Sequence, residues 1–276
     1  MVIRSSSFTA LLACLLTAVA PAAALEAARP DSGVQGPSAA DASAPRSTAA
    51  IGEAPAGELQ AIPEKPVVVE LFLSQACSAC PPAAEALRDI ADRSDVLALS
   101  WHVDYWDVMA GGQAGRWHDP YAHQAFSARQ RDYNERLSGR RKVFTPQAVV
   151  DGRQSVVGSR RDQLLERIDV ATGTAPSASR LRFDAGTVSV SAGAYSYDIL
   201  LVRYLRNART EILAGANRGR VFDEANIVIE AGYLARGVVG DVSLEAPPPE
   251  TREGVGCAIL LQVAGMGPIQ DVALCD

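Results

Sequence analysis

The sequence predicts an α/β fold with a helical insertion, followed by an antiparallel, β-rich C-terminal subdomain. Three observations carry this. A continuous apolar and β-branched run from Val67 to Leu73 leads directly into a Cys-x-x-Cys and then a helical pattern. Further strand and helix patterns follow in the order β-α-β-(α)-β-β-α as far as Val170. Beyond Ser177 the hydrophobic period falls to two, with Gly, Asn and Pro between short runs.

The chain has 276 residues, enough for one large domain or two modest ones. Lys and Arg total 26 against 32 Asp and Glu, a formal net charge of −6, so no nucleic-acid partner is expected. The first residues read as an export signal. Arg4 is the positive n-region, Phe8 to Ala20 is apolar, and Ala22-Ala23-Ala24 offers a small-residue cleavage site. The stretch is too short for a membrane span, so cleavage near Ala24 is expected to leave no stable span. Leu11-Leu12-Ala13-Cys14 loosely suggests a lipoprotein box, but the apolar run before Cys14 is shorter than such signals need, which places Cys14 in the discarded peptide. The mature chain is expected to be periplasmic or secreted, where disulfides persist. Across residues 25–63, 25 of 39 are Ala, Gly, Pro, Ser or Thr and none is aromatic. Such a segment cannot bury enough apolar surface to offset its ordering entropy and reads as a disordered linker.

Folding is expected to begin at Pro66. The run Val67–Leu73 suits a strand buried on both faces. Pro81 and Pro82 fit a first helical turn, and Ala83, Leu87, Ile90 and Ala91 repeat at helical spacing. Cys77 and Cys80 therefore sit where a strand feeds a helix N-terminus, whose partial positive charge and unpaired N–H groups favour a thiolate. Cys77, the outer sulfur, is the expected attacking nucleophile and Cys80 the resolving partner. Competing readings are an inert disulfide or half of a zinc site, but there is no second Cys-x-x-Cys and no His-x-x-x-His.

Val96 to Val103 reads as the second strand. All three Trp and all three His lie between Trp101 and His123. His102 and Asp104 would share one face at the C-terminal edge of that strand, the edge on which ligand crevices form. Three roles are open to them: tuning the Cys77 thiolate, with His102 as acid/base and Asp104 as its orienter; joining Cys77 and Cys80 in holding a soft metal such as Cu(I); or bracing the insertion. Trp106 and Trp117 read as the insertion's own small core, and His118 and His123 as surface residues. Asp119 and Pro120 form an N-cap and N1 pair for a helix running to Leu137 and closed by Gly139. Thr145-Pro146 precedes a third strand, Ala148 to Val150, and a proline there belongs at a strand start, where a cis bond fits. Asp151-Gly152 signals a hairpin into Ser155–Val157, and Ser159 to Asp162 resembles a capping box opening a helix through Leu164, Leu165 and Ile168.

Taken together, these motifs resemble a thioredoxin fold. Cys77 and Cys80 match its Cys-x-x-Cys, Thr145-Pro146 the cis-proline that faces it, and Val149-Val150-Asp151-Gly152-Arg153 the hairpin that follows. More closely, Glu70-Leu71-Phe72-Leu73-Ser74-Gln75-Ala76-Cys77-Ser78-Ala79-Cys80-Pro81-Pro82 resembles a bacterial family of secreted thioredoxin-like proteins of unknown function. His102-Val103-Asp104-Tyr105-Trp106-Asp107 and Arg129-Gln130-Arg131 share in that likeness. The resemblance covers roughly Pro66 to Asp276 and implies a thioredoxin-like domain and export. No Trp precedes Cys77, and Ser78-Ala79 stand where thioredoxins carry Gly-Pro, so no redox potential carries over. The buried acid of thioredoxins falls at Leu71 here. Glu70, one residue further out, points to the other face; it is either a proton relay or the partner of an arginine on the inserted helix.

After Ser177 the patterns 187–191, 197–204, 227–234, 238–244, 256–264 and 269–274 read as short strands, with Pro247-Pro248-Pro249 as a surface loop. A turn at Gly265-Met266-Gly267 sets Cys257 opposite Cys275. Such a pair, expected as non-hydrogen-bonded, is close enough for a structural disulfide. The expected organisation is thus a signal peptide 1–24, a linker 25–63, a thioredoxin-like domain 66–172 and a β-rich subdomain 178–276. The leading expectation is an exported thiol–disulfide oxidoreductase acting on a protein thiol or disulfide without a cofactor, with Thr145 and Pro146 shaping the groove beside Cys77 and Cys80. The alternatives are a metal-binding or metallochaperone module using Cys77, Cys80 and His102, and a non-catalytic binding protein with a fixed Cys77–Cys80 bridge.

Overall fold

The computed structural model describes residues 65–109, 117–174, 179–246, 248 and 250–275. The expected signal peptide with Cys14, its cleavage site and the linker lie outside the described residues.

Strand β1 (Val67–Leu73) is buried at every position, as its unbroken apolar run requires. Val67, Val69, Leu71 and Leu73 face one layer, Val68 and Phe72 the other. It pairs in parallel with β2 (Val96–His102), which sets Leu73 opposite His102. On its other side it pairs antiparallel with β3 (Gln147–Val150), which turns back into β4 (Gln154–Val157). Asp151 (φ 47°) and Gly152 (φ 64°) are both left-handed, the conformation a tight hairpin demands. The Asp151 carboxylate is held by Lys65 Nζ and by the Val68 N–H.

Helices α1 (Pro81–Ala91) and α4 (Arg161–Thr172) cover one face of this sheet. A short α2 (Tyr105–Met109) and the longer α3 (Gln124–Ser138) follow β2, and α3 covers the opposite face through Phe126 and Tyr133. Gly139 (φ 68°) ends α3 as expected, but the helix begins five residues after the predicted cap. His123 caps it instead, Nδ1 accepting the Ala125 N–H at 3.1 Å, because the Asp119 carboxylate is taken up elsewhere. The expected capping box at the start of α4 does not form either; Arg160 is its N-cap, with no side-chain cap bond.

The larger departure lies in the C-terminal half. Strands β7 (Tyr197–Glu211) and β8 (Val221–Val238) are far longer than the patterns that predicted them. β8 also joins β2 in parallel at Ser100 and Ile227. Ser100 Oγ donates to the Ala225 carbonyl (3.1 Å) and Asn226 Nδ2 to the Ala98 carbonyl (2.9 Å), which satisfies backbone groups at the seam. With β10 (Val255–Val263) and β11 (Ile269–Leu274), the result is one mixed sheet of eight strands, ordered β11-β10-β7-β8-β2-β1-β3-β4. The strands expected to stand beside the N-terminal part as a subdomain are continuous with it. A separate three-stranded sheet of β5 (Leu181–Asp184), β6 (Thr187–Val190) and β9 (Val242–Glu245) covers Ile199, Leu201, Ile259 and Leu261 on β7 and β10.

At Asn226 (φ 49°) β8 bends. Its first residues, Val221 to Ala225, stay paired with β7 and lie against α1, where Asp223 pairs with Arg88 and Phe222 enters the cluster that contains Cys77 and Cys80. At the other end of the sheet Cys257 and Cys275 are bridged, with their Cα atoms 5.0 Å apart. The Cys275 N–H donates to the Cys257 carbonyl at 3.1 Å, so this is a hydrogen-bonded position rather than the non-hydrogen-bonded one expected.

Candidate functional site

Cys77 and Cys80 are bridged at the point where β1 delivers the chain to α1. Cys80 is the N-cap, and Pro81 and Pro82 occupy the first turn. Neither proline has an N–H, and the Ala83 and Ala84 N–H groups donate to the Cys80 carbonyl. The helix end therefore acts on the sulfurs through its aligned peptide dipoles, not through the free donors the sequence suggested. Pro146, preceded by a cis peptide bond, comes close to Gly158 beside Leu71 and Ala83, two members of the cluster that contains the cysteines. Gly158 marks how close the packing is: a Cβ added there would lie 2.6 Å from Leu71 Cδ1 and 3.4 Å from both Ala83 Cβ and Pro146 Cβ. Thr145 Oγ1 accepts the Trp106 indole N–H at 2.7 Å. Trp106 and Trp117 pack against the cysteine-containing cluster, so they belong to the site rather than to a core of their own.

One expectation fails. An outer, attacking sulfur at Cys77 has to be reachable by another molecule, yet Cys77 is 1% accessible and Cys80 0%. Only Ser78 and Ala79 between them reach solvent. The cover comes from the tip of the β7–β8 hairpin: Ile212 and Phe222 join the cluster around the sulfurs, and Asn217 Nδ2 donates to the Gln75 and Cys77 carbonyls, each at 2.8 Å.

Behind the bridge lies a buried polar network centred on His102. Its Nδ1 faces Asp119 (2.8 Å to Oδ2), and its Nε2 lies 3.2 Å from Glu224 Oε1. Gln75 ties these together: its backbone N–H donates to Asp119 Oδ2 (2.8 Å), its Nε2 to Glu224 Oε2 (2.9 Å), and its Oε1 accepts from the Trp117 indole (3.3 Å). Burial disfavours the charged imidazole, but the two carboxylates outweigh it and hold His102 at about 10. Asp119 is likewise desolvated, yet the imidazolium and the backbone donors bring its carboxyl below the usual range. A histidine protonated at neutral pH is a fixed cation, not the acid/base partner foreseen for Cys77.

Asp104, expected to orient His102, does not touch it. The strand ends at His102, and Asp104 turns into α2, where its N–H donates to Ser127 Oγ and its carboxylate accepts from the same hydroxyl. Glu70 faces the opposite side of the sheet in a buried ion pair: Arg129 Nε donates to Oε1 at 2.6 Å, Arg129 Nη2 to Oε2 at 3.1 Å, and Tyr133 donates its hydroxyl proton to the same carboxylate. Of the two readings of Glu70, the structure adopts the arginine partner. The metal set of Cys77, Cys80 and His102 is not assembled either, since the sulfurs bond each other and both ring nitrogens face carboxylates. Among the described residues no group of three or more His, Cys, Asp and Glu side chains is arranged to hold a metal ion. His118 and His123 are exposed, as expected.

Sequence reasoning missed Gln75, Asp119, Asn217 and Glu224. Gln75 stood within the quoted motif without a role. Asp119 carried a competing signal as a helix cap. Asn217 and Glu224 lie where no strand was predicted.

Among the described residues no helix is long and apolar enough to cross a membrane. Comparison with solved structures finds a crystal structure of a protein from Agrobacterium tumefaciens at 27% identity and a TM-score of 0.59. The match covers 76% of this chain and 93% of that one. HBP35 of Porphyromonas gingivalis matches at 13% identity and a TM-score of 0.47, over 76% and 74% of the two chains. No curated protein matches. Residues 68–262 match the model of a family described as proteins of unknown function, DUF1223, and the chain belongs to that family.

Proposed function

We propose that the chain is an exported thiol–disulfide oxidoreductase with a thioredoxin-like core, in which the Cys77–Cys80 pair is the exchanging group. The observation that carries this reading is the bridge at the N-terminus of α1, with the cis Thr145-Pro146 segment reaching the cysteine-containing cluster through Gly158 and Trp106. The order β1-α1-β2 followed by β3-β4-α4 around it supports the same reading. A substrate thiolate attacks Cys77 Sγ, the Cys77–Cys80 bond breaks, and Cys80 leaves as a thiolate in the field of the helix dipole. The substrate's second thiolate then attacks the substrate sulfur of the mixed disulfide, forms the substrate disulfide and expels Cys77 as a thiolate. The substrate loses two electrons and the Cys77–Cys80 pair gains them; the reverse sequence reduces a substrate disulfide.

Because Cys77 is covered, exchange requires the hairpin tip at Ile212, Asn217 and Phe222 to withdraw. Turnover in insulin reduction or oxidative refolding is expected to vanish in Cys77→Ser, and Cys80→Ser is expected to trap a mixed disulfide. Asn217→Ala is expected to speed alkylation of Cys77 in the reduced protein. If both cysteine variants keep wild-type turnover, the proposal is wrong.

Burial of both sulfurs favours a second reading, a binding protein with a fixed bridge. A Cys77–Cys80 bond that resists reduction by glutathione, at a potential below about −300 mV, would select it.

A further inference from the structure

Leading up to Pro146, the segment 139–146 crosses from α3 to β3 with no regular structure. It is nonetheless held rigidly by side-chain amides. Gln130 Nε2 donates to the Phe144 carbonyl (2.7 Å) and Asn134 Nδ2 to the Lys142 carbonyl (2.8 Å), while Gln147 locks Asn134 and Ser155 in place. Gln130, Asn134 and Gln147 are all buried. Such a loop is organised before any partner arrives, which removes much of the ordering cost of binding.

What this loop presents is a groove of about 740 Å³, within the size range of ligand sites, lined by Leu137, Arg140, Lys142, Val143, Phe144 and Arg153 among others. It holds three cations and no carboxylate. Arg140, Lys142 and Arg153 are exposed, and none has a side-chain ion pair or hydrogen bond among the described residues. The neighbouring Arg141 differs, being paired with Asp132 and Glu135. Phe144 is 42% exposed at the same place. Three unpaired cations around an apolar floor, in a chain of net charge −6, form a local reversal of sign.

We propose that this groove docks an acidic segment of a partner polypeptide, carboxylates on Arg140, Lys142 and Arg153 and an apolar side chain on Phe144. A long polyanion would meet the chain's overall negative field, whereas a short acidic segment sees the groove's charge alone, because charges more than about 8 Å away are screened at physiological salt. This assigns the kind of partner that is held and does not depend on the sulfur chemistry, so binding tests it alone.

The test uses the full chain with both bridges oxidised and a fluorescent hexapeptide carrying four Glu and one Leu, followed by anisotropy. The same peptide with Gln for Glu is the control. The acidic peptide is expected to bind, with affinity falling as salt rises, and the Gln peptide to bind at least tenfold more weakly. A variant with Arg140→Ser, Lys142→Ser and Arg153→Ser is expected to lose about tenfold in affinity, the combined size of three exposed charge contacts. A charge-matched variant with Arg182→Ser, Arg209→Ser and Arg218→Ser is expected to bind as the wild type does. Equal binding of both peptides, or equal loss in both variants, overturns the proposal. So does tighter binding of a single-stranded oligonucleotide or an anionic phospholipid vesicle through the same three cations.

Discussion

His102 sits with its ring between two carboxylates at zero accessibility, and this predicts a pH-dependent stability of definite sign. An unfolded chain releases an imidazole proton near 6.5. In the fold, burial opposes the charge, but Asp119 and Glu224 hold the proton to about 10. Between those values the native state binds one more proton than the unfolded chain. The stabilisation is therefore complete below about pH 6.5 and is lost as pH rises through about 10. One proton corresponds to about 1.4 kcal/mol per pH unit, so the interval amounts to roughly 5 kcal/mol. Asp119, whose carboxyl lies below its usual range, contributes stability that is lost only on acidification and leaves this interval alone. Tyr105, which burial pushes up to about 12, likewise titrates above it. The assay is urea unfolding of wild type and His102→Gln from pH 6 to 10.5, with both bridges oxidised. The variant is expected to be the less stable at pH 6, and the gap to narrow by several kcal/mol towards pH 10. Parallel curves across that range would show a neutral His102 and refute the charge assignment.

Three other outcomes follow from packing. Arg129→Met strands the fully buried Glu70 carboxylate and is expected to cost roughly 3–5 kcal/mol in chemical denaturation, with part recovered by adding Glu70→Gln. Replacing Cys257 and Cys275 together by Ser opens a loop with a sequence separation of 18 and is expected to lower stability by about 3 kcal/mol, read from the denaturant midpoint. Gly158→Ala drives a methyl to 2.6 Å from Leu71 Cδ1 between Ala83 and Pro146. It is expected to cost roughly 1–3 kcal/mol by thermal or urea unfolding, whereas Gly139→Ala meets no neighbour and is opposed only by its positive φ.

What was legible in the sequence was local. The run Val67–Leu73, the prolines after Cys80 and the left-handed Gly139 each declare their structure within a few residues, and the structure follows them. The cysteine pair near the C-terminus was legible because a local hairpin sets Cys257 opposite Cys275, although a register shift at Leu261/Gln262 that the sequence did not announce lies between the turn and the bridge. The network around His102 was not, because its members are chosen by tertiary contact. Asp119 before Pro120 has good capping chemistry, and only the approach of His102 and the Gln75 N–H diverts it. Asp223 and Glu224 are poor strand formers, which hid the first third of β8. A buried glutamate in a strand makes sense only once a cation stands opposite, and that cation lies more than a hundred residues earlier.

Because β8 pairs with β7 along its length while its first third also helps to wall in Cys77, the molecule resists being cut in two. A shortened chain ending at Thr174 would strip β2 of its outer neighbour and bare Leu97, Leu99 and Trp101, which now pack with Val202, Val228 and Ala258. The naked flank of β2 would then offer its amides to other chains and invite aggregation. Anyone transplanting the cysteine pair to another scaffold must take the distant strand with it.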